Sequence, residues 1–255
     1  YGLLGGIGWN FGNIFMTAAR AVAGMSIGFP IGGGLAWIGG IIFNYLLITL
    51  AGEVYPGNQA LLWIGVVVII VAICICGKAY GKMSASQAST PKKGILLAIV
   101  AGLAIMFFSG LVVKSLDPQY VAVGTGTLTP YTGVFCFAAG VLITTPIFNT
   151  FAMSHPAQGN KVTMKDYLKG DTRTHLIGML GGFIWMSGMV VSFMGAGSAN
   201  PAIAYALSNA APVVAMIWGF FVWKEFKGAP KGTVPMIATM FVLFVVGLVL
   251  ITLSN

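Results

Sequence analysis

The chain has 255 residues, of which 58% are hydrophobic and only 7% charged, with a mean hydropathy of +0.93. A soluble domain carries about a quarter charged residues, so this composition excludes one and requires a solvent that is partly lipid. The net charge of +8 is scattered between apolar runs without a basic stripe, which excludes nucleic acid and assigns the bases to loops facing anionic lipid.

Apolar runs of about 20 residues suit a helix crossing a hydrocarbon core about 30 Å thick. Eight are predicted, at 2–23, 27–50, 60–80, 93–114, 131–153, 174–197, 201–224 and 232–253. The 36 glycines fit membrane helices that approach closely. Pro146 falls inside the fifth segment, where it frees a backbone carbonyl and predicts a kink. Asn200 followed by Pro201 reads as a helix start. Residues 81–92 and 154–173 read as polar loops. Cys74, Cys76 and Cys136 sit in apolar stretches without metal-ligand spacing and read as small buried hydrophobes. Tyr1 is followed by neither a basic n-region nor a cleavage site, so no signal peptide is expected.

Eight alternating segments put twelve of the thirteen basic residues on one side, with Lys114 alone on the other. That side is expected to be cytoplasmic, which places both visible termini outside a plasma or inner cell membrane.

Gly5, Gly6, Trp9 and Gly12 recur as Gly181, Gly182, Trp185 and Gly188, at a constant offset of 176 residues. The same register continues without a gap through Ile27 and Ile203, Phe29 and Tyr205, and Gly32 and Ser208. The first and sixth segments are five apart, so they run in opposite directions, which predicts an inverted-topology repeat. The expected fold is an all-α integral membrane protein: eight visible transmembrane helices of a ten-helix, five-plus-five design. Residues 1–80 are then the last three helices of the first repeat, 81–92 a cytoplasmic linker and 93–255 the second repeat. The counterparts of the fourth and fifth segments are expected ahead of residue 1.

The stretches "AGMSIGFPIGGG" (23–34), "KKGILLAIVAGL" (92–103), "LGGFIWM" (180–186) and "WGFFVWKEFKGA" (218–229) resemble the sugar-uptake branch of the drug/metabolite transporter superfamily. That branch holds L-rhamnose–proton symporters and glucose/ribose uptake porters, with the plant ureide permeases nearby. The resemblance implies a secondary transporter of a small polar solute.

Such sites lie near mid-membrane, between repeats. In the first segment Asn10, Asn13, Thr17 and Arg20 follow helical spacing as one polar stripe, flanked by Trp9. An Asn amide offers donors and an acceptor to sugar hydroxyls or ureide amides, and an indole offers a flat apolar face. In the seventh segment Tyr205, Ser208 and Asn209 share a face opposite the glycines of the second. Thr144, Thr145 and Asn149 beside Pro146 form a further candidate, whose alternative role is to satisfy freed backbone groups. Arg20 either snorkels to the interface or holds an anionic solute or lipid. Lys224 and Glu225 read as an interfacial anchor.

The five carboxylates lie in loops or at helix ends, and the two histidines lack metal-ligand spacing. No catalytic arrangement and no nucleotide motif is visible, so neither an enzyme nor a metal or cofactor site is expected. The expected function is secondary active transport of a sugar or related metabolite, coupled to protons, by a monomer or homodimer. The alternatives are a ureide, nucleobase or other metabolite permease or facilitator, and a membrane subunit that keeps the scaffold without transport. Proton coupling usually needs an intramembrane acid or histidine, and none stands mid-helix here.

Overall fold

The computed structural model describes residues 1–50, 52, 57–86, 91–117, 127–198 and 211–254. They form helices α1 (Gly2–Ala23), α2 (Met25–Leu50), α3 (Gln59–Ser86), α4 (Pro91–Ile105), α5 (Phe108–Ser115), α6 (Pro130–Ser154), α7 (Met164–Leu168), α8 (Thr172–Ser198), α9 (Ala211–Ile217) and α10 (Thr233–Leu253). A π-helical turn, Trp218–Val222, continues α9. Six spans are long and apolar enough to cross a bilayer: Met25–Phe43, Gln59–Met83, Lys92–Ser115, Pro130–Ser154, Thr172–Met194 and Thr233–Leu253. The 22-residue α1 is long enough, but its asparagines and glycines lower its apolar content.

Close glycine contacts fix the helix directions. Gly2 meets Cys136 and Gly6 meets Phe137 and Val141, while Asn10 bonds to Thr144, so α1 and α6 run in parallel. Gly5 meets Val112 and Gly12 meets Ile105, so α1 runs antiparallel to α4 and α5. Gly28 against Ala19 and Gly32 against Met16 make α1 and α2 antiparallel. Gly65 on Ile251, with Gly247 on Ile69, does the same for α3 and α10. This is the alternation expected of successive membrane crossings. The main core joins α2, α3 and α10 around Trp37, Ile69 and Phe244, and a smaller one joins α5, α6 and α8 around Val112, Phe137 and Phe193.

Several local expectations are revised. The stretch 93–114 is two helices, broken at Met106 and Phe107, where neither proline nor glycine stands. Adjacent rings diverge there: Phe107 packs edge-on to Phe43 of α2 at 5.2 Å, and Phe108 tilts against Phe137 of α6 at 5.7 Å. The expected 81–92 loop is shorter, because α3 continues to Ser86 and α4 starts at Pro91. The 154–173 loop contains α7, closed by a reciprocal cap in which the Thr163 hydroxyl accepts from the Asp166 amide and the Asp166 carboxylate accepts from the Thr163 amide. Cys76 is buried as expected, but Cys74 is exposed on the opposite side of α3. The α6 helix runs unbroken through Pro146.

The junction of α1 and α2 has an unexpected partner. Gly24, at φ 81°, ends α1, and Met25 opens α2 without a local capping side chain. Glu225, 200 residues on, supplies the cap: its Oε1 accepts from the Met25 amide and its Oε2 from the Ser26 amide, both at 2.9 Å. A Cβ at Gly219 would overlap the Ser26 hydroxyl and come 2.9 Å from Oε2, so a larger residue there would push on both side chains. Lys224 reaches the turn with φ 53°, an uncommon conformation for a residue with a side chain. Glu225 is therefore a tertiary helix cap, a role beyond the anchor its sequence context suggested.

Candidate solute site

The α1 face that carries the polar stripe points into the angle between α4–α5 and α6. Gly5 and Gly12 fix one side of it and Gly6 the other, and Trp9 lies between them by helical spacing. Trp9 stacks on Trp185 of α8, with ring centroids 4.4 Å apart and planes at 24°. Phe137 of α6 meets both indoles, edge-on to Trp9 at 5.8 Å and tilted to Trp185 at 6.0 Å. Three aromatic rings thus join α1, α6 and α8.

Asn10, at 3% exposure, is the buried member of the stripe. Its amide nitrogen donates to Thr144 Oγ1 at 2.9 Å, with Val141 O at 3.2 Å and Thr145 Oγ1 at 3.4 Å also in reach. The threonine hydroxyls are committed as donors to the carbonyls of Gly140 and Val141, at 2.8 Å each, so their lone pairs face Asn10 and set its amide orientation. The Asn10 nitrogen therefore ties α1 to α6. Among the described residues its Oδ1 has no donor, which leaves one acceptor for another molecule.

Beyond Asn10 the stripe opens. Asn13 and, on α6, Asn149 are half-buried, and among the described residues neither amide has a hydrogen-bond partner. Thr17 is exposed and accepts from Arg20 Nη2 at 3.0 Å. On α8, Gly178, Gly181 and Gly182 precede Trp185 at helical spacing. A Cβ added at any of them would meet nothing within 4 Å among the described residues. Gly5, Gly6 and Gly12 of α1 touch neighbouring backbones, whereas Gly8 of α1 and these glycines of α8 do not among the described residues. The described residues thus set two amides and a hydroxyl of α1 and α6 along one polar face next to the Trp9–Trp185 stack, with a run of glycines leading up to that stack on α8. Such a surface suits a flat solute bearing several donors and acceptors.

Trp9, Asn10, Asn13, Thr17, Thr145 and Asn149 thus gather around α1 and α6. Thr144 belongs with them as the hydroxyl nearest the Asn10 amide. Tyr205, Ser208 and Asn209 lie outside the described residues. Trp185 was legible as the repeat partner of Trp9, but the repeat alone carries no hint that the two rings touch. Among the described residues no three His, Cys, Asp or Glu side chains come together as a metal site.

Comparison with known proteins adds to this geometry. A family model described as ureide permease matches residues 84–254. Ureide permease 2 of Arabidopsis thaliana is 23% identical over an alignment that takes in 100% of this chain and 77% of that protein. Ureide permease 1 of the same plant is also 23% identical, over 100% of this chain and 78% of its own length. Ureide permease 4 is 24% identical over 64% of this chain and 41% of its own length. No solved structure matches.

Proposed function

The chain belongs to the ureide permease family of membrane transporters, and we propose that it carries a small polar solute of the ureide or nucleobase class across a cell membrane by alternating access. The observation that carries this reading is the polar face of α1 and α6 beside the Trp9–Trp185 contact with α8. Asn13 and Asn149 offer uncommitted amides there, and an amide matches the alternating N–H and C=O groups of a ureido unit. The Trp9–Trp185 stack leaves a flat apolar edge against which a planar solute can lie. A sugar would use the same hydroxyl-bonding groups, but the family match favours the ureide.

Alternating access rests on the inverted repeat, which has two supports. Residues 176 positions apart meet at Trp9 and Trp185, as residues on a two-fold axis do. Gly2 also matches Gly178 in the same register. In this reading the halves are 1–80 and 93–255 of a ten-helix fold. Tyr205, Ser208 and Asn209 complete the site from the second half, and the basic loops face the cytoplasm of the plasma or inner membrane. The protein works as a monomer or homodimer. Proton coupling belongs to the same proposal, with facilitated transport as its alternative.

The test is uptake into proteoliposomes holding the full-length protein. Radiolabelled hydantoin, a cyclic ureide, should enter saturably and be competed by uracil more strongly than by rhamnose or glucose. An imposed inward proton gradient should accelerate entry if coupling holds. Competition by the sugars alone would overturn the ureide reading.

A further inference from the structure

Arg20 closes the polar stripe of α1, and the direction of its side chain is informative. A basic residue near a membrane helix end ordinarily extends toward the interface and water. Arg20 instead turns back along its own helix. Its Nε donates to Met16 O at 3.2 Å and its Nη2 to Thr17 Oγ1 at 3.0 Å, about one 5.4 Å turn toward Trp9. The Phe29 ring of α2 holds the guanidinium from the side, with its centroid 5.8 Å away.

Both bonded acceptors are neutral. Among the described residues Arg20 makes no ion pair, and three of its five N–H donors have no acceptor. The nearby carboxylate, Glu225, is committed to the Met25 and Ser26 amides. A cation drawn toward the membrane interior without a counter-ion is costly, and such residues characteristically mark a solute path. A guanidinium has a planar fork that fits a carboxylate with two parallel bonds.

We propose that Arg20 is the anion-recognising end of the polar stripe of α1 and that the transported class includes ureides bearing a carboxylate. This rests on the transport reading above. The solute's ureido group lies against Asn13 and Asn149, and its carboxylate lies on Arg20, with Thr17 holding the guanidinium in place. A lipid phosphate would offer the same chemistry to the fork, so the test separates the two sources.

Full-length wild type, R20K and R20Q are compared in proteoliposomes with hydantoin (neutral) and N-carbamoylglycinate, its ring-opened anion. Thermal-shift binding of both probes is measured in detergent. For wild type, both probes should bind and enter. In R20Q the KM for the anion should rise at least about tenfold, the usual weight of a hydrogen bond to a charge, while that for hydantoin changes less than about threefold. R20K should show a smaller loss with the same selectivity for the anion, and it decides the matter should R20Q not fold. Equal losses for both probes, or no loss, overturn the assignment and leave ureide transport standing. A loss seen only with phosphatidylglycerol and absent in pure phosphatidylcholine makes Arg20 a lipid anchor and likewise overturns it. If wild type binds neither probe, the ureide reading falls as well.

Discussion

Gly6→Ala tests whether the site depends on backbone contact between α1 and α6. A Cβ at Gly6 would penetrate the Phe137 carbonyl oxygen and lie 2.9 Å from its carbon and 3.1 Å from the Val141 nitrogen. All three atoms are backbone, so no rotamer change relieves the overlap and the helices must part by about 1 Å. Asn10 is one turn along the same face, and its 2.9 Å bond to Thr144 then stretches beyond hydrogen-bonding range. Overpacking of this kind costs about 1–3 kcal/mol and a lost membrane hydrogen bond about 0.6 kcal/mol, so a loss of roughly 2–3 kcal/mol is expected. Helix propensity offsets little of this, because a membrane helix persists when tertiary contacts are lost. Gly8→Ala is the control, since a Cβ there meets nothing within 4 Å among the described residues. Denaturant unfolding of the full-length protein in micelles should show Gly6→Ala far below wild type and Gly8→Ala close to it. Equal stability of the two variants would refute the argument that this contact positions the site.

Three further outcomes are expected. Asn13→Ala and Asn149→Ala should each weaken solute binding by about 0.5–1.5 kcal/mol in counterflow assays while leaving unfolding unchanged, because neither amide has a protein partner to lose among the described residues; an unchanged KM removes that residue from the site. Glu225→Ala should cost about 1–3 kcal/mol in the same unfolding assay, because it strands the Met25 and Ser26 amides, and Glu225→Gln less, because its amide oxygen still accepts from one of them. The α7 cap should depend on acid: hydrogen bonds from the Thr163 side chain and backbone hold the exposed Asp166 carboxyl below its ordinary range. Its contribution is complete above the unfolded value of about 3.9 and is lost as pH falls through the folded one. Amide exchange across 163–169, corrected for intrinsic rates, should therefore rise only in that acid window.

The helices were legible because a bilayer imposes one strong rule: a span must be long, apolar and internally hydrogen-bonded. Seven of the eight predicted starts agree with the structure to within a few residues, and the seventh segment's start is outside the described residues. The break at Met106 was hidden, because it follows from where Phe107 and Phe108 find partners on other helices rather than from a breaking residue. The stripe from Asn10 to Arg20 could be read from spacing alone. Its division of labour could not: nothing local says that the Asn10 nitrogen is committed to Thr144 while Asn13 is not. The cap by Glu225 left no local trace: Ser26, just ahead of the predicted start at 27, could itself have served as the cap, and only the helix start at Met25 shows that it does not. The α7 cap did have a local signature, Thr163-x-x-Asp166, inside a stretch that otherwise reads as loop.

The Glu225 cap also has a bearing on motion. Both oxygens of one carboxylate hold the first amides of α2, and the backbone beneath them is packed against Gly219. If α2 and the segment following the π-turn move apart, two amides and a carboxylate are bared at once. None of these groups tolerates an apolar vacuum, so separation requires water to enter in the same step. Opening and wetting of that mouth become a single event. A dry crevice on this side would have no low-energy intermediate to pass through, and the rate at which the mouth opens would track hydration rather than the stiffness of the helices.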